Sequence, residues 1–217
     1  MKWGVILGVL VVAIIFAVWR SRETDKESGN SNIENNNDLN NANDQSTAFV
    51  AGSGADNPIG KILKELKEDF VLLNKIRVKG WGKHSALIDH LLITKQGITV
   101  FRDVETPAKS VEATSKEWIL ETDSGKKKIK NPVNMNNYAI SILRNVLKRK
   151  LKYIYPKLDF TSVVLFNDSV KVNSTVKENQ NAIVIKKSFL RDLLETIVQK
   201  PAKLTKSEMI EIKKSLE

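Results

Sequence analysis

The chain has 217 residues, 41% of them hydrophobic, a formal net charge of +10 and no cysteine. Disulfides and thiolate metal sites are therefore excluded, and two histidines, His84 and His90, make an all-histidine zinc site implausible. The length suits one ordinary domain with extensions, and the charge favours contact with polyanions, either nucleic acid or an anionic lipid surface.

The stretch from Trp3 to Trp19 is apolar, uncharged and free of proline. As a helix rising about 1.5 Å per residue it spans roughly 25 Å, slightly short of the ~30 Å hydrocarbon core, and snorkelling by Lys2 and Arg20 closes the gap. Trp3 and Trp19 stand at the two ends, where aromatic rings prefer the headgroup level. The run ends on Ala17-Val18-Trp19-Arg20, a poor cleavage site, so residues 1–20 are expected to be a retained transmembrane signal anchor rather than a signal peptide. Arg20, Arg22 and Lys26 give a slight cationic excess after the span. It points to a single-pass protein of the inner or plasma membrane with its domain in the cytoplasm. Gly4 and Gly8 lie one turn apart and offer a face for a homodimer. Residues 21–56, with the low-complexity segment Asn30 to Asn43, lack the apolar surface to offset ordering and read as an Asn-rich disordered linker.

Residues 57–217 read as an α/β domain. Pro58 suits a helix start, and Ile59, Ile62, Leu63, Leu66 and Phe70 follow at helical spacing. Strands are predicted over Val71 to Val78, Ala86 to Thr94 and Ile98 to Val104, with a Gly80-Trp81-Gly82 turn and a Lys95-Gln96-Gly97 connection. Glu117 to Thr122 and Lys126 to Lys130 flank Asp123-Ser124-Gly125 as a hairpin. Asn131-Pro132 opens a long helix with the inward stripe Met135, Tyr138, Ala139, Ile142, Leu143, Val146, Leu147 and Leu151, closed before Pro156. Two short strands follow at Phe160 to Phe166 and Ala182 to Ile185. Then comes a helix capped by Ser188 and a last one from Thr205 or Ser207. The order predicts an α/β sandwich around one mixed sheet. Trp81 and Trp118 are expected to pack inside, and His90 to be a hydrogen-bonded structural residue.

Gly60 at the first helix, Ile88-Asp89-His90 followed by Gly97-Ile98-Thr99-Val100, and Trp118 ahead of Asn131-Pro132-Val133-Asn134-Met135-Asn136 occur in one order. In combination they resemble the nuclease-related domain, NERD, a bacterial branch of the restriction-endonuclease-like PD-(D/E)xK fold, over roughly Pro58 to Val164. The resemblance implies a mixed sheet flanked by helices, with strand carboxylates holding Mg²⁺ beside a lysine for phosphodiester hydrolysis. It also implies where this chain departs. The strand Asp corresponds to Asp89, but the Glu-x-Lys positions hold Arg102-Asp103-Val104, the early helix Glu is Lys61 and the long-helix Gln is Met135. An arginine cation in place of a metal carboxylate opposes metal binding. An active alternative uses Asp89, Asp103 and Glu105, provided a one-residue bulge turns the latter two toward Asp89.

Lys126, Lys127 and Lys128 on the hairpin, and Arg144, Lys148, Arg149 and Lys152 on or just past the long helix, are candidates for tracking phosphates of DNA or RNA. The expected protein is thus membrane-anchored and catalytically inactive, binding nucleic acid or a partner through a basic surface, with no metal cofactor. The alternatives are a Mg²⁺-dependent nuclease and a non-enzymatic membrane interaction protein.

Overall fold

The computed structural model describes residues 49–50, 57–113, 117–172 and 182–217. The expected anchor, its Gly4 and Gly8 face and nearly all of the expected linker lie outside the described residues. Among those residues no helix is long and apolar enough to cross a membrane.

Helix α1 (Pro58–Glu65) starts where its chemistry dictates: Asn57 Oδ1 accepts the Ile59 N–H at 2.8 Å, and Pro58 fills the first position. The helix is shorter than the spacing through Phe70 predicts. Lys67 turns to a left-handed φ of 54°, and Phe70 instead opens strand β2 (Phe70–Lys79). Strands β3 (Ser85–Thr94) and β4 (Gly97–Val104) form the expected hairpin. Gly97 is required there, because its φ is 144° and a Cβ would stand 2.8 Å from the Asp159 carbonyl oxygen.

Strand β5 (Ser110–Ala113) has no counterpart in the sequence reading; it pairs with the foreseen hairpin of β6 (Glu117–Thr122) and β7 (Gly125–Lys130). Helix α2 (Pro132–Lys150) is capped by Asn131, whose Oδ1 accepts the Val133 N–H at 2.9 Å and the Asn134 N–H at 3.4 Å. Its inner stripe begins at Asn136 and Ala139. Met135 and Tyr138, expected to face inward, are exposed, because the helix rotates the buried Asn136 toward the sheet.

Strands β8 (Phe160–Phe166), β9 (Lys171–Val172) and β10 (Ile183–Lys186) precede helices α3 (Leu190–Val198) and α4 (Lys206–Leu216). Ser188 does not cap α3; it lies in a 3-10 turn over Lys187–Phe189, and its N–H donates to Asp168. Thr205 and Glu208 form a reciprocal capping box on α4. Two residues inside the stretch read as linker, Phe49–Val50, form strand β1 and pair in parallel with Val71 and Leu72.

The single sheet expected from sequence is two mixed sheets. One runs β1-β2-β3-β4-β8-β10, the other β7-β6-β5-β9. Helices α2 and α4 cover one face of the larger sheet over Val71, Leu91, Ile93, Val100 and neighbours. Helices α1 and α3 cover the other over Leu72, Leu92, Phe101 and Val163. A third cluster ties in the smaller sheet, where Trp118, fully buried as expected, stacks on Phe166 with ring centroids 5.6 Å apart.

Candidate functional site

The site begins with an irregularity in β2 and β3. The two strands keep one register, Asn74 opposite His90 and Ile76 opposite Ile88, but Lys75 and Asp89 drop out of the ladder and Lys75 takes a φ of 51°. The inward side also changes there. Leu91 and Ile93 join the cluster beneath α2, and so do Ile88 and Ala86. Residues three apart on a regular strand face opposite ways, so both strands turn over together at Lys75 and Asp89. Beyond this point β3 no longer pairs with β4: their ladder closes at His90 and Phe101.

Asp89 lies in that break and its carboxylate is fully engaged. Oδ2 accepts the backbone N–H of Asp103 at 3.1 Å, and Oδ1 accepts Arg102 Nη1 at 3.4 Å. The other end of the guanidinium donates to the Leu87 carbonyl at 2.8 Å. Arg102 is therefore braced across the gap that opens where β3 and β4 part.

Strand β4 itself is regular, paired with β8 without interruption from Ile98 to Val104. The bulge that the active alternative needs is not in β4; the irregularity falls on β2 and β3. Alternation accordingly places Val100, Arg102 and Val104 on the α2 side and Phe101 and Asp103 on the α1–α3 side. Asp103 meets His90 instead of Asp89: Oδ2 lies 3.1 Å from Nε2, and the other ring nitrogen is 2.7 Å from Asn74 Oδ1. Asn57, the cap of α1, donates to the same Asn74 oxygen at 3.3 Å. Burial raises the Asp103 carboxyl, but the hydrogen bond from His90 and the positive charges of His90, Lys187 and Arg102 outweigh it. The group is thereby held below the ordinary carboxylate range. Glu105 follows β4 and is exposed, so it joins neither aspartate.

Mg²⁺ demands several oxygen ligands converging on one point. Asp89 has both oxygens committed and a guanidinium against it, Asp103 faces the other side of the sheet, and Glu105 lies out on the exposed chain. Among the described residues no three His, Asp or Glu side chains converge for a metal ion. These residues do not fit the cation. Val104, where the resemblance implies a lysine, is buried beside Trp118, Val133 and Phe166.

The basic candidates stay on the surface. Lys126, Lys127 and Lys128 are exposed along β7, with Lys128 3.5 Å from Glu117. Arg144, Lys148, Arg149 and Lys152 are exposed along and just beyond α2. Arg144 lies over the Phe160 ring and Arg149 over the Trp81 ring, at 4.9 and 5.8 Å from the centroids. Trp81 corrects the expectation that it packs inside: it is 77% exposed, because it lies on the turn between β2 and β3, where Gly80 rather than Trp81 meets helix α2. Asn57 and Asn74 are not singled out by the sequence, and Asn136 enters there only as the last residue of the long-helix motif. Asn74 was detectable as a polar residue in the apolar run from Phe70 to Val78.

The molecule is a mixed α/β protein with an acidic residue at the point where two central strands of its larger sheet separate. A family model for the nuclease-related domain matches residues 51–167, more than half of the chain. The chain belongs to the nuclease-related domain family, and the restriction-endonuclease-like architecture is consistent with that membership. Comparison with curated proteins and with solved structures found no match.

Proposed function

We propose that this protein is a membrane-anchored member of its family that binds nucleic acid through a basic surface and does not cut it. The observation that carries the reading is the Arg102 guanidinium braced between Asp89 and the Leu87 carbonyl, where a metal-dependent nuclease needs a carboxylate. With catalysis set aside, what remains for a polyanion is charge: the exposed lysines of β7 and the exposed cations of α2.

Binding of this kind releases counterions and weakens steeply with salt. Changing Lys148, Arg149 and Lys152 together to Glu removes three phosphate contacts, so the slope of log affinity against log salt should fall by about 2–3. Fluorescence anisotropy of a labelled oligonucleotide against the full-length chain measures it. Affinity and slope unchanged in the triple variant would move the contact elsewhere on the molecule or to a protein partner.

Anchoring rests on the apolar run from Trp3 to Trp19. The chain should stay with membranes after carbonate extraction, and protease added to intact spheroplasts should leave the domain whole. Release into the soluble fraction would remove the anchor, and digestion from outside would reverse its orientation.

A further inference from the structure

The turn between β2 and β3 is pinned to helix α2. The Gly80 N–H donates to the His84 carbonyl at 2.8 Å, the His84 N–H returns to the Trp81 carbonyl at 3.3 Å, and Gly82 takes a left-handed φ of 62°. Gly80 touches the helix so closely that a Cβ there would stand 3.1 Å from the Ile142 side chain. His84 Nδ1 lies 3.3 Å from the Tyr138 hydroxyl, which links the turn to the outer face of α2. Between turn and helix is an open groove of about 450 Å³ lined by Gly80, Trp81, His84, Tyr138, Asn145 and Arg149 among others.

Two aromatic rings are held at this groove without being buried. Trp81 is 77% exposed and Tyr138 48% exposed. A ring left in water forgoes the gain from burial, so two of them fixed at one concavity mark a binding surface. Charge identifies the occupant. Arg149 sits over the Trp81 ring, Tyr138, Asn145 and Arg149 follow one another along a single stripe of α2, and Lys79 and Lys83 flank the turn. Among the described residues no acidic side chain lines the groove.

We propose that this groove binds single-stranded nucleic acid, with bases stacking on Trp81 and Tyr138 and phosphates following Arg149. Stacking on an exposed ring needs a base whose flat face is free, which a duplex hides and a single strand offers. The inference rests on the nucleic-acid reading above and narrows it to one strand form and one groove, on the α2 side of the molecule away from the His90–Asp103 pair.

The test uses the full-length chain in detergent, a labelled oligothymidylate and a blunt duplex of equal length. Trp81→Ala should weaken the oligothymidylate about tenfold, the loss expected for one stacked base, while leaving the duplex within about twofold and Trp81→Phe near the parent. Because Trp81 stands in solvent, the thermal midpoint should not move. Oligothymidylate binding that Trp81→Ala leaves intact, while the Lys148, Arg149 and Lys152 reversal still weakens it, overturns the groove alone. Equal losses for both strand forms overturn the single-strand assignment. A parent chain that binds neither nucleic acid overturns the groove and the proposed function together. Binding only to phosphatidylserine vesicles, lost in Trp81→Ala, overturns the proposal and assigns the ring to a lipid surface.

Discussion

Val104→Lys, which places a lysine where the resemblance implies one, should destabilise the domain by about 4 kcal/mol, a value at the severe end for one substitution. Val104 is 8% exposed and packs with Val164, Phe166, Trp118 and Val133, where the larger sheet meets the smaller one. A lysine there either leaves its ammonium among apolar side chains or gives up its proton, and both cost free energy. Urea unfolding of the full-length chain followed by circular dichroism should show the midpoint falling, whereas Val104→Ile, which adds one apolar methylene at the same place, should cost less, about 1–3 kcal/mol. A stable Val104→Lys chain would mean that the side chain reaches water and that the family's pattern can be rebuilt here.

Asn136→Ala should cost about 3 kcal/mol, although alanine is the better helix former. Asn136 is fully buried, and its Nδ2, with two hydrogens for three acceptors, lies 2.8 Å from the Val100 carbonyl, 2.9 Å from the Ser162 hydroxyl and 3.3 Å from the Val163 carbonyl. It thus staples helix α2 to the paired strands β4 and β8. Removal leaves a cavity and polar groups without a donor, two penalties that add. Ser162→Ala removes one acceptor and should cost less than half as much. A loss under about 1 kcal/mol for Asn136→Ala would show that the staple is dispensable.

The elements legible in the sequence were those set by local chemistry. Asn131-Pro132 announces the start of α2, Asp123-Ser124-Gly125 the β6–β7 hairpin, and Gln96-Gly97 the β3–β4 connection. Strands β5 and β9 were not legible, because four and two residues carry no period and are held by partners distant in sequence. The same holds for β1. Apolarity placed Trp81 and Tyr138 inside, but the direction of a turn and the rotation of a helix depend on packing against other elements. At the candidate site the substitution of Arg102 and Val104 was plain from the motif. What the motif could not give was the reversal of β2 and β3 at Lys75 and Asp89; the separation of the two aspartates follows from the unbroken alternation of β4.

The proposed function has Arg102 and the two-sided placement of the aspartates leave a nuclease-related domain that holds nucleic acid without hydrolysing it. The most direct measurement incubates the full-length chain with labelled single-stranded and duplex DNA and with RNA, in Mg²⁺ and separately in Mn²⁺, and reads both retention and strand length. The account predicts salt-sensitive retention with every strand recovered intact. Metal-dependent cleavage that disappears in Asp89→Ala would contradict it.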